Sequence, residues 1–378
     1  MNAKSIKGAS PDEIKSALLQ STTDGFKPTL AIVFLSVKQD RSAISKVLDE
    51  AGIAVYGVTT NGEFTGDGIT KESVAILLLD MNPDFFTILF SEFTENNYRQ
   101  TTQAFAQKAL EKFPHPSFLI TGSNLETDAE ELLHGFEDII GLNANIWGSM
   151  AGDDFRFTEQ FVFTNGQSSN RGIVALALDE DKIIVKGKAT CGWKPMGTEK
   201  TVTKSDGNRV YTIENLSVLE MTKKYSGLEN LTPENPSIAS EIVSFPLQLQ
   251  REHGDPVMRP GLVVNWQDGS FICSGTVPQG SKVKFSLPPD FDVIEKVIQG
   301  CKELKATEMP EADALVVFSC AGRLVSLGPV IHEEVEGVQK VWNVPMAGMF
   351  SNAELGRSTN GNLEMQNLTA CCVAIKEK

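Results

Sequence analysis

The chain has 378 residues, 41% hydrophobic and 22% charged, with a formal net charge of −15. That length suits two domains with sizeable cores, and the composition is that of an ordinary globular protein. A surface this acidic repels nucleic acid and anionic membranes, so neither is an expected partner.

The opening stretch "MNAKSIKGASPDEIKSALL" has no apolar signal segment, and no later run is long enough to span a bilayer, so the expected location is cytoplasmic. Six cysteines (Cys191, Cys273, Cys301, Cys320, Cys371 and Cys372) are scattered without a Cys-x-x-Cys pair or zinc-type Cys/His spacing. They read as reduced thiols, and no metal or cofactor is expected. Four histidines leave little material for acid–base chemistry.

In chain order, "TLAIVFLS" (Thr29 to Ser36) is a continuous apolar run of buried-strand type. Ala43, Ile44, Val47, Leu48 and Ala51 then mark one face of a helix. "AGIAVYGVTT" is strand-like, Asn61-Gly62 is a turn signal, and "SVAILLLD" and "FFTILFSEF" are further strands. The order recurs with "SFLITGSN", a helix marked by Leu132, Leu133, Phe136, Ile139 and Ile140, "ANIWGSMAGDD", and a hairpin around Asn165-Gly166. It appears a third time in "ADALVVFSCAGR", a helix carrying Val330, Ile331, Val335 and Val338, "VPMAGMFSNAELG", and "LTACCVAI". In each unit a glycine precedes an acid by six positions: Gly57 and Glu63, Gly148 and Asp154, Gly348 and Glu354.

Between the second and third units lies β-rich sequence, with hairpin signals at Asp206-Gly207 and Asp268-Gly269. "LSVLEMTKKYSG" reads as a helix ended by Gly227. The stretch after it, "LTPENPSIASEIVSFPLQLQREHGDPVMRPG", is proline-rich and irregular, so the domain division is expected near Gly227, giving domains 1–227 and 228–378. The predicted fold class is α/β (α+β): repeated strand-helix-strand-strand units, mixed or antiparallel sheets, and helices on the sheet faces.

A phosphate cradle requires a glycine loop leading into a helix. "GVTTNGEFTGDG" leads into a strand and carries Glu63 and Asp67, which repel phosphate, so the nucleotide reading fails. Cys320 in "FSCAGR" and Ser123 in "ITGSNLE" sit where strands end before helices, where a nucleophile can be presented, but neither has a G-x-S-x-G frame. The acids Glu63, Asp153, Asp154 and Glu354, with Arg323, Thr59, Thr60, Asn352 and Asn367, are chemically suited to a small zwitterion. A carboxylate holds ammonium, a guanidinium clasps carboxylate, and hydroxyls and amides orient the ligand. Trp193 in "CGWKPMG" either stacks on a ligand or packs on a neighbouring strand. With a pseudo-twofold relation between the first and third units, Glu63 and Glu354 would face one cavity within reach of Arg323.

The segments "VYGVTTNGEF", "WGSMAGDD", "CGWKPMGTEKTVTKSDGNRVYTIE", "VFSCAGR", "AGMFSNAELG" and the late "NLT" give the chain a resemblance to the FIST family, from about Thr29 to Leu368. One departure is Ala353, where the family typically has glycine before the acid. The resemblance implies an N-terminal and a C-terminal FIST domain forming an intracellular sensory module for small molecules such as amino acids, and not an established enzyme. Family members are often fused to output domains, so this chain would act through a separate signalling partner or by sensing alone. The expected ligand site is Thr59, Thr60, Glu63, Asp153, Asp154, Trp193, Cys320, Arg323, Asn352, Glu354 and Asn367. The alternative is a hydrolase-type enzyme using Cys320 or paired carboxylates.

Overall fold

The computed structural model describes residues 1–228, 231–234 and 238–378, so residues 235–237 of the proline-rich stretch lie outside it. The first unit runs β1 (Ala3–Gly8), α1 (Pro11–Ser21), β2 (Leu30–Ser36), α2 (Arg41–Glu50), β3 (Ala54–Thr60), β4 (Glu63–Thr65), β5 (Gly68–Thr70) and β6 (Val74–Leu79). The second repeats it as β7 (Phe86–Glu92), α3 (Tyr98–Lys112), β8 (Pro116–Gly122), α4 (Ala129–Ile140), β9 (Ile146–Met150), β10 (Val162–Phe163), β11 (Ser168–Ser169) and β12 (Gly172–Asp179).

The third unit starts at β13 (Ile183–Thr190) and is then interrupted. The insertion holds β14 (Pro195–Asp206), β15 (Arg209–Ile213), β16 (Leu216–Ser217), α5 (Val218–Ser226), α6 (Ile238–Val243), β17 (Leu247–Leu249), β18 (Val257–Arg259), β19 (Gly261–Asn265), β20 (Ser270–Cys273) and β21 (Lys282–Ser286). Its strands form one eight-stranded sheet. The helix expected before Gly227 is α5, closed by Gly227 at φ 68. The unit resumes with α7 (Phe291–Thr307), β22 (Ala314–Cys320), α8 (Ala321–Leu327), α9 (Ile331–Trp342), β23 (Met346–Ser351), β24 (Ala353–Gly356), β25 (Glu364–Gln366) and β26 (Ala370–Glu377).

The units form three six-stranded mixed sheets: β1-β6-β2-β3-β10-β11, β7-β12-β8-β9-β24-β25 and β13-β26-β22-β23-β4-β5. In each, the two central strands are parallel (β2 with β3, β8 with β9, β22 with β23) and the flanking strands antiparallel. The continuous apolar runs follow from two-sided burial. Along β2, Leu30, Ile32 and Phe34 enter a core shared by the three sheets, while Ala31, Val33 and Leu35 pack with residues of α1 and α2. β22 divides likewise, and Phe34 meets Phe318 edge-to-face across the shared core, with centroids 6.0 Å apart.

Two expectations are corrected. "FFTILFSEF" contributes β7, which pairs with β12 in the second sheet and so opens the second unit rather than closing the first. Asn61-Gly62 is not a hairpin tip either: β3 pairs with β2 and β10, whereas β4 pairs with β23 and β5. The corner carries the chain from one sheet into another.

Each unit thus lends its short hairpin to a neighbour in a cycle. β4 and β5 complete the third sheet, β10 and β11 the first, and β24 and β25 the second. The relation is cyclic among three units and not a pseudo-twofold between two. It also explains the repeated glycines. Gly57 lies opposite Phe163, and Gly348 opposite Phe64; a Cβ on either glycine would sit 2.2 Å from that ring. At Gly148 a Cβ would lie 1.9 Å from the carbonyl oxygen of Ile120. Phe163 and Phe64 come from the borrowed hairpins, whereas Ile120 lies on the adjacent strand of the same unit as Gly148, and at all three positions a Cβ has no room.

Candidate functional site

After each repeated glycine the chain leaves its sheet, and the three corners meet. Asn61 is the hub. Its N–H donates to the Phe350 carbonyl at 2.9 Å, and its Nδ2 to Asn352 Oδ1 at 2.8 Å. Its Oδ1 accepts from the amides of Asp153 (3.2 Å) and Phe155 (2.9 Å). Asn352 in turn donates through Nδ2 to the Ala151 carbonyl at 2.7 Å and through its own N–H to Met150 at 3.1 Å. Thr59 donates from Oγ1 to the Gly152 carbonyl at 2.7 Å, and the Asp154 amide donates to the Thr60 carbonyl at 2.9 Å. These are exchanged backbone groups at strand ends, where no ladder partner remains, and side-chain amides supply the missing bonds.

The repeated acids sit beside this junction. Glu63 is fully buried; its Oε1 accepts from the N–H and Oγ of Ser73, both at 2.7 Å, and its Oε2 from Thr60 Oγ1 at 2.7 Å. Glu354, also fully buried, repeats the pattern. Its Oε1 accepts from Ser351 Oγ at 2.7 Å, and its Oε2 from the Thr369 Oγ1 at 2.9 Å and N–H at 3.3 Å. Burial outweighs these donors and pushes Glu63 up to about 7 and Glu354 up to about 8. The third member differs: Asp154 is only half-buried, and Ser36 Oγ donates to its Oδ2 at 2.6 Å.

Asp153 shapes the loop that follows. Its Oδ1 accepts from the Phe157 amide at 3.0 Å. Its Oδ2 accepts from the amides of Thr158 (2.7 Å) and Glu159 (3.1 Å) and from Gln160 Nε2 at 2.7 Å. Asp154, Phe155 and Phe157 all have left-handed φ, at 57, 60 and 55 degrees. Ala353 is absent from the left-handed residues, so its Cβ is tolerated where glycine was expected.

A second cluster surrounds Arg323, which is fully buried. Its Nε donates to Glu334 Oε1 at 3.0 Å and its Nη2 to Glu334 Oε2. Nη1 donates to the carbonyls of Cys191 (2.7 Å) and Leu368 (2.8 Å). Burial alone would depress this guanidinium; the Glu334 carboxylate outweighs it and holds it above its usual value. The Arg323 fork is therefore committed to Glu334 and to holding strand ends. Trp193 lies against it, ring centroid 5.3 Å from Cζ, and donates Nε1 to the Ser244 carbonyl at 3.3 Å. Asn367 Oδ1 accepts from Ser274 Oγ (2.7 Å) and Arg259 Nη1 (3.3 Å).

The sequence-derived residues thus form two groups. Thr59, Thr60, Glu63, Asp153, Asp154 and Asn352 meet at the junction; Cys320, Arg323, Asn367 and Trp193 form the second group, and Glu354 lies between the two through Ser351 and Thr369. An enclosed cavity of about 10 Å³ nearby is lined by Glu334, Ser319, Phe64 and apolar neighbours, and by none of Glu63, Glu354 and Arg323. It holds one water at most. Cys320 is buried, and burial, reinforced by Glu354, pushes its thiol well above the ordinary range. A thiolate nucleophile there would be disfavoured. The hub Asn61 was missed by sequence reasoning, which took it only for a turn former.

A family model described as the FIST N domain matches residues 29–216, and one described as the FIST C domain matches residues 219–357. No curated protein matches the chain. Among solved structures, T. maritima PurL complexed with ATP is similar at 10% identity and a TM-score of 0.20, over 100% of this chain and 71% of that one. A likeness that weak carries no argument.

Proposed function

Because the chain belongs to the FIST family, whose domains are sensor-type modules of signal transduction, we propose that it senses a small metabolite, an amino acid or a close relative, at the junction between its FIST N and FIST C domains. The observation that carries this reading is the Asn61–Asn352 hydrogen bond within the three-corner network. Corners from both family regions share one set of hydrogen bonds, so a ligand that shifts one corner shifts the others. A network of this kind is well placed to turn occupancy into a change felt by both domains.

We take the modules to divide near Gly227, and we place the protein in the cytoplasm with a separate signalling partner as its output. Near pH 7 Glu63, at about 7, is roughly half protonated and Glu354, at about 8, is mostly protonated, and the pair supports the reading as a proton reserve that a charged ligand would perturb. The test is a thermal-shift screen of the full chain against amino acids and related metabolites. A ligand at 100 times its dissociation constant stabilises the fold by about 2.7 kcal/mol. A screen in which no such compound raises the melting temperature overturns the metabolite reading.

A further inference from the structure

Arg41 is the first residue of α2, directly after Asp40, whose Oδ1 caps the helix by accepting from the Ala43 amide at 3.0 Å. A cation in the first turn faces the positive end of the helix dipole, where it is disfavoured. Its guanidinium lies 3.6 Å from the centroid of the Phe161 ring, and its buried Nε has no hydrogen-bond partner. Burial depresses this guanidinium below its usual value, only partly offset by Glu159 and Asp40. Arg41 as a whole is half-buried, and the fully buried guanidinia of Arg323 and Arg259 are treated differently. Arg323 is clasped by Glu334, and Arg259 donates to the carbonyls of Thr276, Met258 and Met365, to Asn367, and to Glu130. A partly desolvated guanidinium with an empty buried donor carries a cost that Arg323 and Arg259 avoid by filling theirs.

The surroundings say what would complete it. Stacking on Phe161 fixes the guanidinium plane and leaves its edge for a planar acceptor, which is carboxylate geometry. Glu159 acts on Arg41 electrostatically without forming an ion pair with it, and its Oε1 accepts from Asn170 Nδ2 at 3.2 Å. That acid and Asp40 would repel a multiply charged anion, whereas they favour an anion that brings its own cation. Phe157, 59% exposed on the same loop, offers apolar surface to a side chain.

We propose that Arg41, Phe161 and Glu159 anchor a zwitterionic α-amino acid, with Arg41 taking its carboxylate and Glu159 its ammonium group. The inference rests on the sensor reading and gives it a point of entry. The Glu159 amide donates to Asp153 Oδ2, the Asp153 amide donates to Asn61 Oδ1, and the Phe161 amide donates to Thr59 Oγ1 at 2.8 Å. A ligand drawn onto Glu159 and Phe161 therefore pulls on the three-corner junction. The left-handed residues 154, 155 and 157 lie on this same loop, the one corner whose acid is not sealed.

The experiment titrates the full chain, wild type, Arg41→Met, Arg41→Lys and Glu159→Gln, with each L-amino acid, and with acetate and inorganic phosphate as separate arms. At least one amino acid should bind the wild type. Arg41→Met should weaken it by about 30-fold or more, without lowering the ligand-free melting temperature, because an unsatisfied cation has been removed. Arg41→Lys, which keeps charge but loses the planar fork, should also weaken binding, and it serves as the test if the Met variant does not fold. Unchanged affinity in the Arg41 variants overturns this site while leaving the sensor reading intact. A lower ligand-free melting temperature of Arg41→Met makes Arg41 structural and also overturns it. Phosphate binding as tight as any amino acid overturns the zwitterion. No amino-acid binding to the wild type removes both the reading and the site.

Discussion

Glu354 titrates at about 8 in the fold against 4.5 as a free side chain, and burial is the main cause. The folded state therefore keeps a proton that the unfolded chain releases above about pH 4.5. The contribution is fully present below 4.5 and is lost as pH rises through about 8. At 1.36 kcal/mol per tenfold in proton activity, the loss amounts to about 5 kcal/mol for this residue. Glu63, pushed to about 7, adds about 3 kcal/mol, lost between 4.5 and 7. Urea unfolding of the wild type at several pH values from about 5 to about 8.5 should show stability falling over the whole range. Glu354→Gln, a neutral isostere that keeps an acceptor for Thr369, should lessen that slope from 4.5 to about 7 and remove it between about 7 and about 8, whereas Glu63→Gln should lessen it only below about 7. The Gln variants should overtake the wild type in stability at the alkaline end. A wild-type stability that rises with pH across this range, or variants that run parallel to it, would show that the hydrogen-bond donors hold both groups ionised and that the reasoning is wrong.

Arg323→Met strands the Glu334 carboxylate in a buried site and should cost about 3–5 kcal/mol by denaturant unfolding; a loss under about 1 kcal/mol refutes the saturated-fork account. Gly57→Ala and Gly348→Ala should each cost at least about 1–3 kcal/mol, because each Cβ would strike a phenylalanine ring at 2.2 Å, and near-neutral variants would contradict the crossing geometry. Native Cys320 should resist iodoacetamide until the chain opens, and Cys320→Ala should retain the ligand response; rapid labelling of the native protein would reopen the nucleophile reading.

Much of the architecture was written locally. β2, β8 and β22 announce themselves as apolar runs because each is buried on both faces, and Gly227 ended α5 where helix-capping rules put it. The glycine-to-acid spacing exposed the three units. What it could not expose was where each hairpin goes. Phe64 pairs with Gly348 and Leu355 with Gly148, contacts between residues distant in sequence, so Asn61-Gly62 read as a local hairpin instead of a corner between sheets. The same limit misdirected Arg323. A guanidinium after a strand looks available in sequence, and only the fold brings α9 close enough for Glu334 to claim it. Arg41 escaped notice for the converse reason, since nothing in a helix-opening arginine reveals that its Nε is left without a partner.

The central claim is that one ligand acts on corners of both FIST domains at once. Hydrogen–deuterium exchange of the full chain, with and without the amino acid found by titration, tests it directly. The account predicts altered exchange at residues 59–63, 151–161 and 350–354 together, through Asn61 and Asn352. Protection confined to one of these segments, or lying wholly elsewhere, would contradict it.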